Sequence, residues 1–133
     1  MTNATLPTNV LTEEDIKLLE DAGQLVIEGV ELKNDPSKLR IKLADIAAAR
    51  FEIGRRKVMY NAYARDAMSA KYNFLKANMS NNAAYKEAEM HPDVIKYKNT
   101  FGIFETAYEV MENFVSVGQT NLRLATEEAK NTL

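Results

Sequence analysis

The chain has 133 residues and a formal net charge of −2, with 46% hydrophobic residues, 27% charged residues and no cysteine. This length predicts a single domain, and the lack of cysteine excludes disulfides, thiolate metal sites and a cysteine nucleophile. The first ten residues lack the basic start and apolar run of a signal peptide, and no apolar run approaches the roughly 20 residues that span a bilayer. We therefore expect a cytoplasmic protein without a membrane segment.

The small net charge conceals an uneven distribution of charge along the chain. Residues 36–78 contain ten basic and three acidic residues, a formal charge of +7. Residues 1–35 carry −6 and residues 79–133 carry −3. A basic segment between two acidic segments favours a polyanionic partner.

The N-terminal part of the chain predicts an arm and a short helix. Residues 1–11 show no periodicity, which predicts a disordered arm ahead of one helical domain over residues 12–133. Thr12 suits the N-cap of a helix over about residues 13–32, whose acidic face we expect to lie along the basic helix of its own chain or of a neighbour. One apolar seam of this helix is Leu18, Ala22, Leu25, Gly29 and Leu32, and another is Ile16, Leu19, Gly23, Val26 and Val30.

A second, long helix is predicted over about residues 36–78. Asp35 suits the N-cap and Pro36 the first helical position, and no further proline follows before Asn78. The apolar residues occupy several sides of this helix, which indicates several neighbours. Leu39, Leu43, Ile46 and Ile53 share one face, whereas Ile41, Phe51, Val58 and Met59 lie elsewhere.

The C-terminal part predicts another long helix with two apolar seams. Residues 78–82 break the pattern, residues 83–90 fit one or two helical turns, and Pro92 starts a helix over about residues 92–128. The first seam has the 3-4 spacing of a coiled coil, and the second seam widens it. The first is Val94, Tyr97, Phe101, Phe104, Tyr108, Met111, Val115, Gly118, Leu122 and Ala125; the second is Ile103, Ala107, Val110, Phe114, Val117 and Leu124.

These patterns predict an all-α fold, a long antiparallel helical hairpin with a short N-terminal helix, which oligomerises through the long helices. One seam of the last helix can pack on the basic helix, and the surplus seam is most simply buried against another subunit. The residues predicted to mediate oligomerisation are Phe101, Phe104, Tyr108, Met111, Phe114 and Val115.

Catalysis has little support in the sequence. The single histidine, His91, precedes a proline, which is typical of a residue at the start of a helix rather than of a catalytic group or metal ligand. Glu87 lies four residues before it, but nothing completes the ligand set of a helical-bundle metal site. No Gly-rich phosphate loop occurs. We therefore predict a protein that is not an enzyme and has no metal or cofactor.

The basic helix is the better functional candidate. Cations interleaved with aromatic residues are typical of proteins that hold single-stranded nucleic acid, because cations contact phosphates and aromatic faces stack on unpaired bases. The alternative is that these cations form a solvated face or pair with the acidic first helix, and that the tyrosines are packing residues. The candidate DNA-binding residues are Arg50, Arg55, Arg56, Lys57, Arg65, Lys71, Tyr60 and Tyr63.

Two stretches of the chain also follow a pattern known from one protein family. The run Tyr85-Lys86-Glu87-Ala88-Glu89-Met90 precedes Asp93-Val94-Ile95-Lys96, and Glu52 precedes Arg55-Arg56 and Val58. Over about residues 38–125 the chain resembles the family of the T-even-type phage recombination mediator UvsY. That family has a similar run before its long C-terminal helix and a Glu-x-x-basic-basic-Val pattern in its basic helix. Its Lys-Ala-Arg element falls near Asn61-Ala62-Tyr63 here, so those phosphate contacts do not transfer.

The resemblance implies a non-enzymatic protein of DNA recombination and repair. Such a protein binds single-stranded DNA, assembles as a ring-like homo-oligomer, and loads a RecA-type recombinase onto strands covered by single-strand-binding protein. If the chain is phage-encoded, it acts in the host-cell cytoplasm. The alternative is an oligomeric virion structural or assembly protein, like a scaffold or chaperone, without nucleic-acid binding.

Overall fold

The structure is a computed structural model that describes residues 8–131, apart from the side chain of Ala129. Within these residues the chain is all-helical, which confirms the predicted fold class. The four helices are α1 (Glu13–Glu31), α2 (Pro36–Leu75), α3 (Asn81–Glu89) and α4 (Pro92–Asn131). Residues 1–7 of the predicted disordered arm lie outside the described residues.

The helix ends depend on local capping. The predicted N-cap of α2 is confirmed, because Asp35 Oδ1 accepts a hydrogen bond from the Lys38 backbone N–H at 3.3 Å. α2 ends at Leu75, a few residues before the predicted end. The predicted one or two turns form the nine-residue α3, and the hydroxyl of Ser80 caps this helix by accepting from the Ala83 backbone N–H at 3.3 Å. α4 continues to Asn131, three residues beyond the predicted boundary.

Both long helices contribute to two compact units. Unit 1 contains Arg55–Glu105 together with the described part of Met1–Thr12. Unit 2 contains Glu13–Gly54 and the described part of Thr106–Leu133. α2 therefore passes from unit 2 into unit 1 after Gly54, and α4 passes back into unit 2 after Glu105.

The core of unit 2 is built on the predicted apolar face of α2 and on one seam of α1. Ala22 and Gly29 of α1 are buried, whereas Ile16 and Val30 of its other seam are exposed. Gly29 lets the helices approach closely, because a Cβ atom there would lie 2.7 Å from Cζ of Phe114. The large residues buried in this core are Leu39, Leu43, Ile46, Ile53, Met111 and Val115.

The core of unit 1 combines aromatic residues of α2 and α4 with small residues of α3. Ala84 and Ala88 of α3 are fully buried, which allows this short helix to pack closely. Thr100 is also fully buried, and its Oγ1 accepts a hydrogen bond from the Val10 backbone N–H at 2.9 Å while donating to the Lys96 carbonyl at 2.8 Å. The Thr8 carbonyl also accepts a hydrogen bond from Asn99 Nδ2 at 2.7 Å, so Thr8 and Val10 are both hydrogen-bonded to α4. The other large core residues here are Tyr60, Val94 and Phe104.

Several apolar residues of α2 remain outside both cores. Ile41, Phe51 and Val58 are 66–69% exposed. The neighbours that the sequence predicted for these sides of α2 are not found among residues 8–131. No helix in this part of the chain is both long and apolar enough to cross a bilayer.

Candidate nucleic-acid interface

Three consecutive cations, Arg55, Arg56 and Lys57, begin the unit 1 part of α2. Because an α-helix has 3.6 residues per turn, successive side chains project about 100° apart. The three cations therefore spread around the helix instead of lining one groove. Arg55 is exposed and the other two are half-buried, and each takes part in a polar or electrostatic interaction within the chain.

The predicted tyrosines of α2 belong to a row of aromatic residues in unit 1. Tyr60 is only 4% exposed, and its ring stacks on Phe104 with centroids 5.6 Å apart and an interplanar angle of 11°. Tyr63 meets Tyr60 edge-on at 5.8 Å and meets Tyr97 at 5.7 Å, yet it remains 44% exposed. Tyr60 is thus a packing residue in this fold, whereas Tyr63 has surface left for a ligand.

Lys71 lies in a small charged cluster at the start of α4. Its Nζ is 3.7 Å from Asp93 Oδ2, and the Nζ of Lys96 is 3.6 Å from Asp93 Oδ1. His91 caps the helix, since its Nδ1 accepts from the Asp93 backbone N–H at 3.2 Å, which agrees with the predicted role of His91 at a helix start. A cavity of about 390 Å³ adjoins this cluster, with Val10 among its lining residues. Asp93 partly offsets the positive charge of Lys71 at this place.

Arg65 and Arg50 have different surroundings. Arg65 is exposed in unit 1, and within residues 8–131 it has no hydrogen bond or ion pair. Arg50 is half-buried in unit 2, and its guanidinium carbon lies 6.0 Å from the centroid of the Tyr108 ring, at the outer limit of a cation–π contact. Arg65 is therefore the predicted cation whose charge is most accessible to an anionic ligand.

Within unit 2, the acidic α1 forms an ion pair with Lys42 of α2. Lys42 Nζ donates to Glu28 Oε2 at 2.7 Å within unit 2. This hydrogen bond lowers the pKa of Glu28 and raises the pKa of Lys42. An expected contact between the acidic first helix and the basic helix of the same chain is thus present at Lys42.

The residues predicted to mediate oligomerisation do not share one environment. Three of them are at most 5% exposed and are buried in the cores of their units, namely Phe104, Met111 and Val115. Phe101, Tyr108 and Phe114 are half-buried. The exposed apolar residues of α4 in unit 2 belong instead to the second seam, and they recur every seven residues: Val110 (52%), Val117 (59%) and Leu124 (46%).

Comparisons with protein-family models, with curated proteins and with solved structures found no match. Among the described residues, no group of three or more His, Asp or Glu side chains is placed to hold a metal ion. The function of this chain must therefore be inferred from its own geometry and charge.

Sequence reasoning missed two residues of unit 1 that share a cavity with Arg65. Tyr85 of α3 is 52% exposed and Lys98 of α4 is exposed, and both line this cavity. The sequence does not show that Arg65, Tyr85 and Lys98 line one cavity, because these residues belong to three different helices. The signal that was present is the pair Ala84 and Ala88, whose spacing predicts a buried edge of α3 next to an exposed tyrosine.

Proposed function

We propose that this protein is a recombination mediator that binds single-stranded DNA and promotes loading of a RecA-type recombinase. The observation that carries the proposal is the surface of α2 in unit 1. There Tyr63 is 44% exposed, and Arg65 has no hydrogen bond or ion pair with any residue from 8 to 131. Both belong to a segment with a formal charge of +7. Exposed cations and aromatic rings on one segment suit a strand with accessible phosphates and unpaired bases.

The mechanism is electrostatic and multivalent. Each subunit neutralises a few phosphates and binds weakly. A ring-like homo-oligomer then gains avidity, because the first contact raises the effective concentration of the strand at the next subunit. The held strand is passed to the recombinase as single-strand-binding protein is displaced. For a phage-encoded chain the setting is recombination and repair in the host-cell cytoplasm.

We further infer that α2 and α4 form an antiparallel hairpin. In unit 2, Leu43 packs at Gly118, whereas Gly54, eleven residues further along α2, packs at Tyr108. In unit 1, Tyr60 stacks on Phe104, and Lys71 pairs with Asp93. In each unit, residues later in α2 meet residues earlier in α4, which supports the inference.

We assign oligomerisation to the second seam of α4 rather than to the buried members of the predicted set. Val110, Val117 and Leu124 repeat at the heptad interval of a coiled-coil partner surface. Replacing Val110 and Val117 with lysine should dissociate the oligomer while the helical content stays the same. Mass photometry and circular dichroism of the same samples measure the two effects. An unchanged mass for the double variant would remove this seam from the subunit interface.

The DNA-binding test is fluorescence anisotropy of labelled oligo-dT over a salt series. Affinity should fall with salt at about −0.7 in the log–log slope per phosphate contacted. The Arg65→Glu variant should bind more weakly and with a shallower slope. The matched control is Arg123→Glu, which reverses an exposed arginine in unit 2. Equal losses in the two variants would mean that only net charge matters, and no binding by the wild type at low salt would refute the proposal.

A second candidate function is an oligomeric virion structural or assembly protein. The exposed apolar row on α4 favours it, since such a row serves subunit contacts whether or not DNA is bound. Replacing Arg55, Arg56 and Lys57 together with glutamate separates the two functions. Loss of DNA binding by an intact oligomer supports the mediator. Dissociation of the oligomer by the same variant supports the structural protein.

A further inference from the structure

A cavity of about 390 Å³ opens on unit 1 where α2, α3 and α4 meet. Its volume lies within the range of about 300–1,000 Å³ that is common for small-ligand sites. We call it the Tyr85 cavity. Its lining includes Asn61, Arg65 and Met68 of α2, Tyr85 of α3, and Lys98 and Phe101 of α4.

The Tyr85 cavity has an apolar floor and a rim that carries two cations and an aromatic ring. Met68 and Phe101 are half-buried and provide an apolar floor beside Ala64, which is 5% exposed. Arg65, Lys98 and Tyr85 are exposed at the rim. Within residues 8–131 neither rim cation has a hydrogen bond or an ion pair. The cavity therefore combines an apolar interior with two cations that form no hydrogen bond or ion pair with the described part of the chain.

The position of Tyr85 follows from the packing of α3. Ala84 and Ala88 are fully buried and fix one side of this short helix against unit 1. Tyr85 follows Ala84 directly, so it projects about 100° around the helix from the buried side. This places an aromatic ring at the rim, 52% exposed, on a helix that is capped at its start by Ser80.

An unpaired DNA base matches these features. Its faces stack on aromatic or apolar groups, its edge carries hydrogen-bonding groups, and a phosphate precedes and follows it. The Asn61 side chain offers both an amide donor and a carbonyl acceptor to such an edge. We propose that the Tyr85 cavity holds one unpaired base of single-stranded DNA, with Arg65 and Lys98 on the flanking phosphates; this rests on the proposed DNA-binding function.

The test compares oligo-dT with an abasic oligonucleotide of the same length and phosphate number. Wild-type protein should bind oligo-dT more tightly by roughly 5- to 150-fold per occupied cavity, the equivalent of about 1–3 kcal/mol for one stacked base. Tyr85→Ala should remove most of this preference, and Tyr85→Phe should retain it. The matched control is Phe74→Ala, which truncates a 78% exposed aromatic residue of unit 1 that does not line the cavity.

The cations give a second, independent readout. Lys98→Ala should weaken binding of both oligonucleotides to a similar extent and reduce the salt slope by about 0.7, the value for one lost phosphate contact. Lys86→Ala, an exposed lysine of α3 outside the lining, should leave the slope unchanged. This arm remains informative even if Tyr85→Ala fails to fold.

The outcomes separate the cavity from the general function. A base preference in Tyr85→Ala as large as that of wild type, or equal binding of the two oligonucleotides by wild type, overturns the cavity proposal and leaves single-stranded DNA binding intact. Failure of wild type to bind either oligonucleotide overturns both proposals. The cavity is supported as a base site if the preference is lost in Tyr85→Ala but not in Phe74→Ala, and if the salt slope is shallower in Lys98→Ala but not in Lys86→Ala.

Discussion

Gly118 provides a direct test of how closely α4 packs on α2 in unit 2. A Cβ atom at this position would lie 2.8 Å from Leu43 Cδ2 and 3.0 Å from Leu43 Cδ1. Favourable carbon–carbon contacts lie at about 3.5–4.0 Å, and Leu43 is only 5% exposed. In Gly118→Ala a buried leucine must therefore move within a packed core.

Two opposing effects set the change in the free energy of unfolding for Gly118→Ala. Overpacking of this kind costs about 1–3 kcal/mol, whereas replacing a helical glycine with alanine gains about 1 kcal/mol of helix propensity. Gly23 offers the matched control, because it lies in a helix of the same unit and a Cβ there has no neighbour within 4 Å. Gly23→Ala should thus stabilise the protein, and Gly118→Ala should be neutral or destabilising.

Thermal and urea unfolding measure the difference between the two variants, which isolates the cost of the clash at about 1–3 kcal/mol. For a chain of this size each kcal/mol corresponds to a shift of about 3–5 °C in Tm. If Gly118→Ala stabilises the protein as much as Gly23→Ala does, then α4 does not approach Leu43 as described and the packing argument for unit 2 is refuted.

Three further predictions address the remaining contacts. Thr100→Val should leave the Val10 N–H without its hydrogen-bond acceptor, so hydrogen exchange at Val10 should accelerate and the free energy of unfolding should fall by about 1 kcal/mol. Thr100→Ser keeps the hydroxyl and should retain the protection of Val10. Equal exchange rates at Val10 in the two variants would contradict the hydrogen bond. The lowered pKa of Glu28 means that its contact with Lys42 stabilises the fold above the unfolded-state pKa and is lost as pH falls through the folded-state pKa. Melting temperatures from pH 7 to pH 3 should therefore drop less in Glu28→Gln than in wild type, and parallel curves would exclude a role for the pair. Phe104→Ala should lower the free energy of unfolding, measured in urea, by about 3–5 kcal/mol because the ring is fully buried. A changed oligomer mass without loss of stability would instead show that Phe104 lies in the subunit interface.

Much of the architecture could be predicted from local chemistry. The carboxylate of Asp35 and the fixed backbone of Pro36 define the start of α2 without help from distant residues. The spacing of Leu39, Leu43, Ile46 and Ile53 identified a buried face, and all four are buried. The extent of α3 was less predictable, because a nine-residue helix is marginal alone and depends on packing of Ala84 and Ala88.

The candidate site was also only partly predictable from the sequence. The basic and aromatic composition of α2 is visible in the sequence. The composition does not show which of these side chains are buried by packing in the folded protein. Tyr60 and Tyr63 look alike in the pattern, yet one is stacked on Phe104 and the other is 44% exposed. The sequence likewise does not show that Arg65 shares a cavity with Tyr85 and Lys98, which come from other helices.

The sequence by itself determined the helical class, the positions of the long helices and the concentration of positive charge on α2, because capping, periodicity and charge are local properties. The tertiary structure alone decided which apolar seam is buried, which cations keep an accessible charge, and that three helices meet at the Tyr85 cavity. These features depend on contacts between residues far apart in the chain, and the repeating spacing within one helix carries no information about which neighbour covers each side.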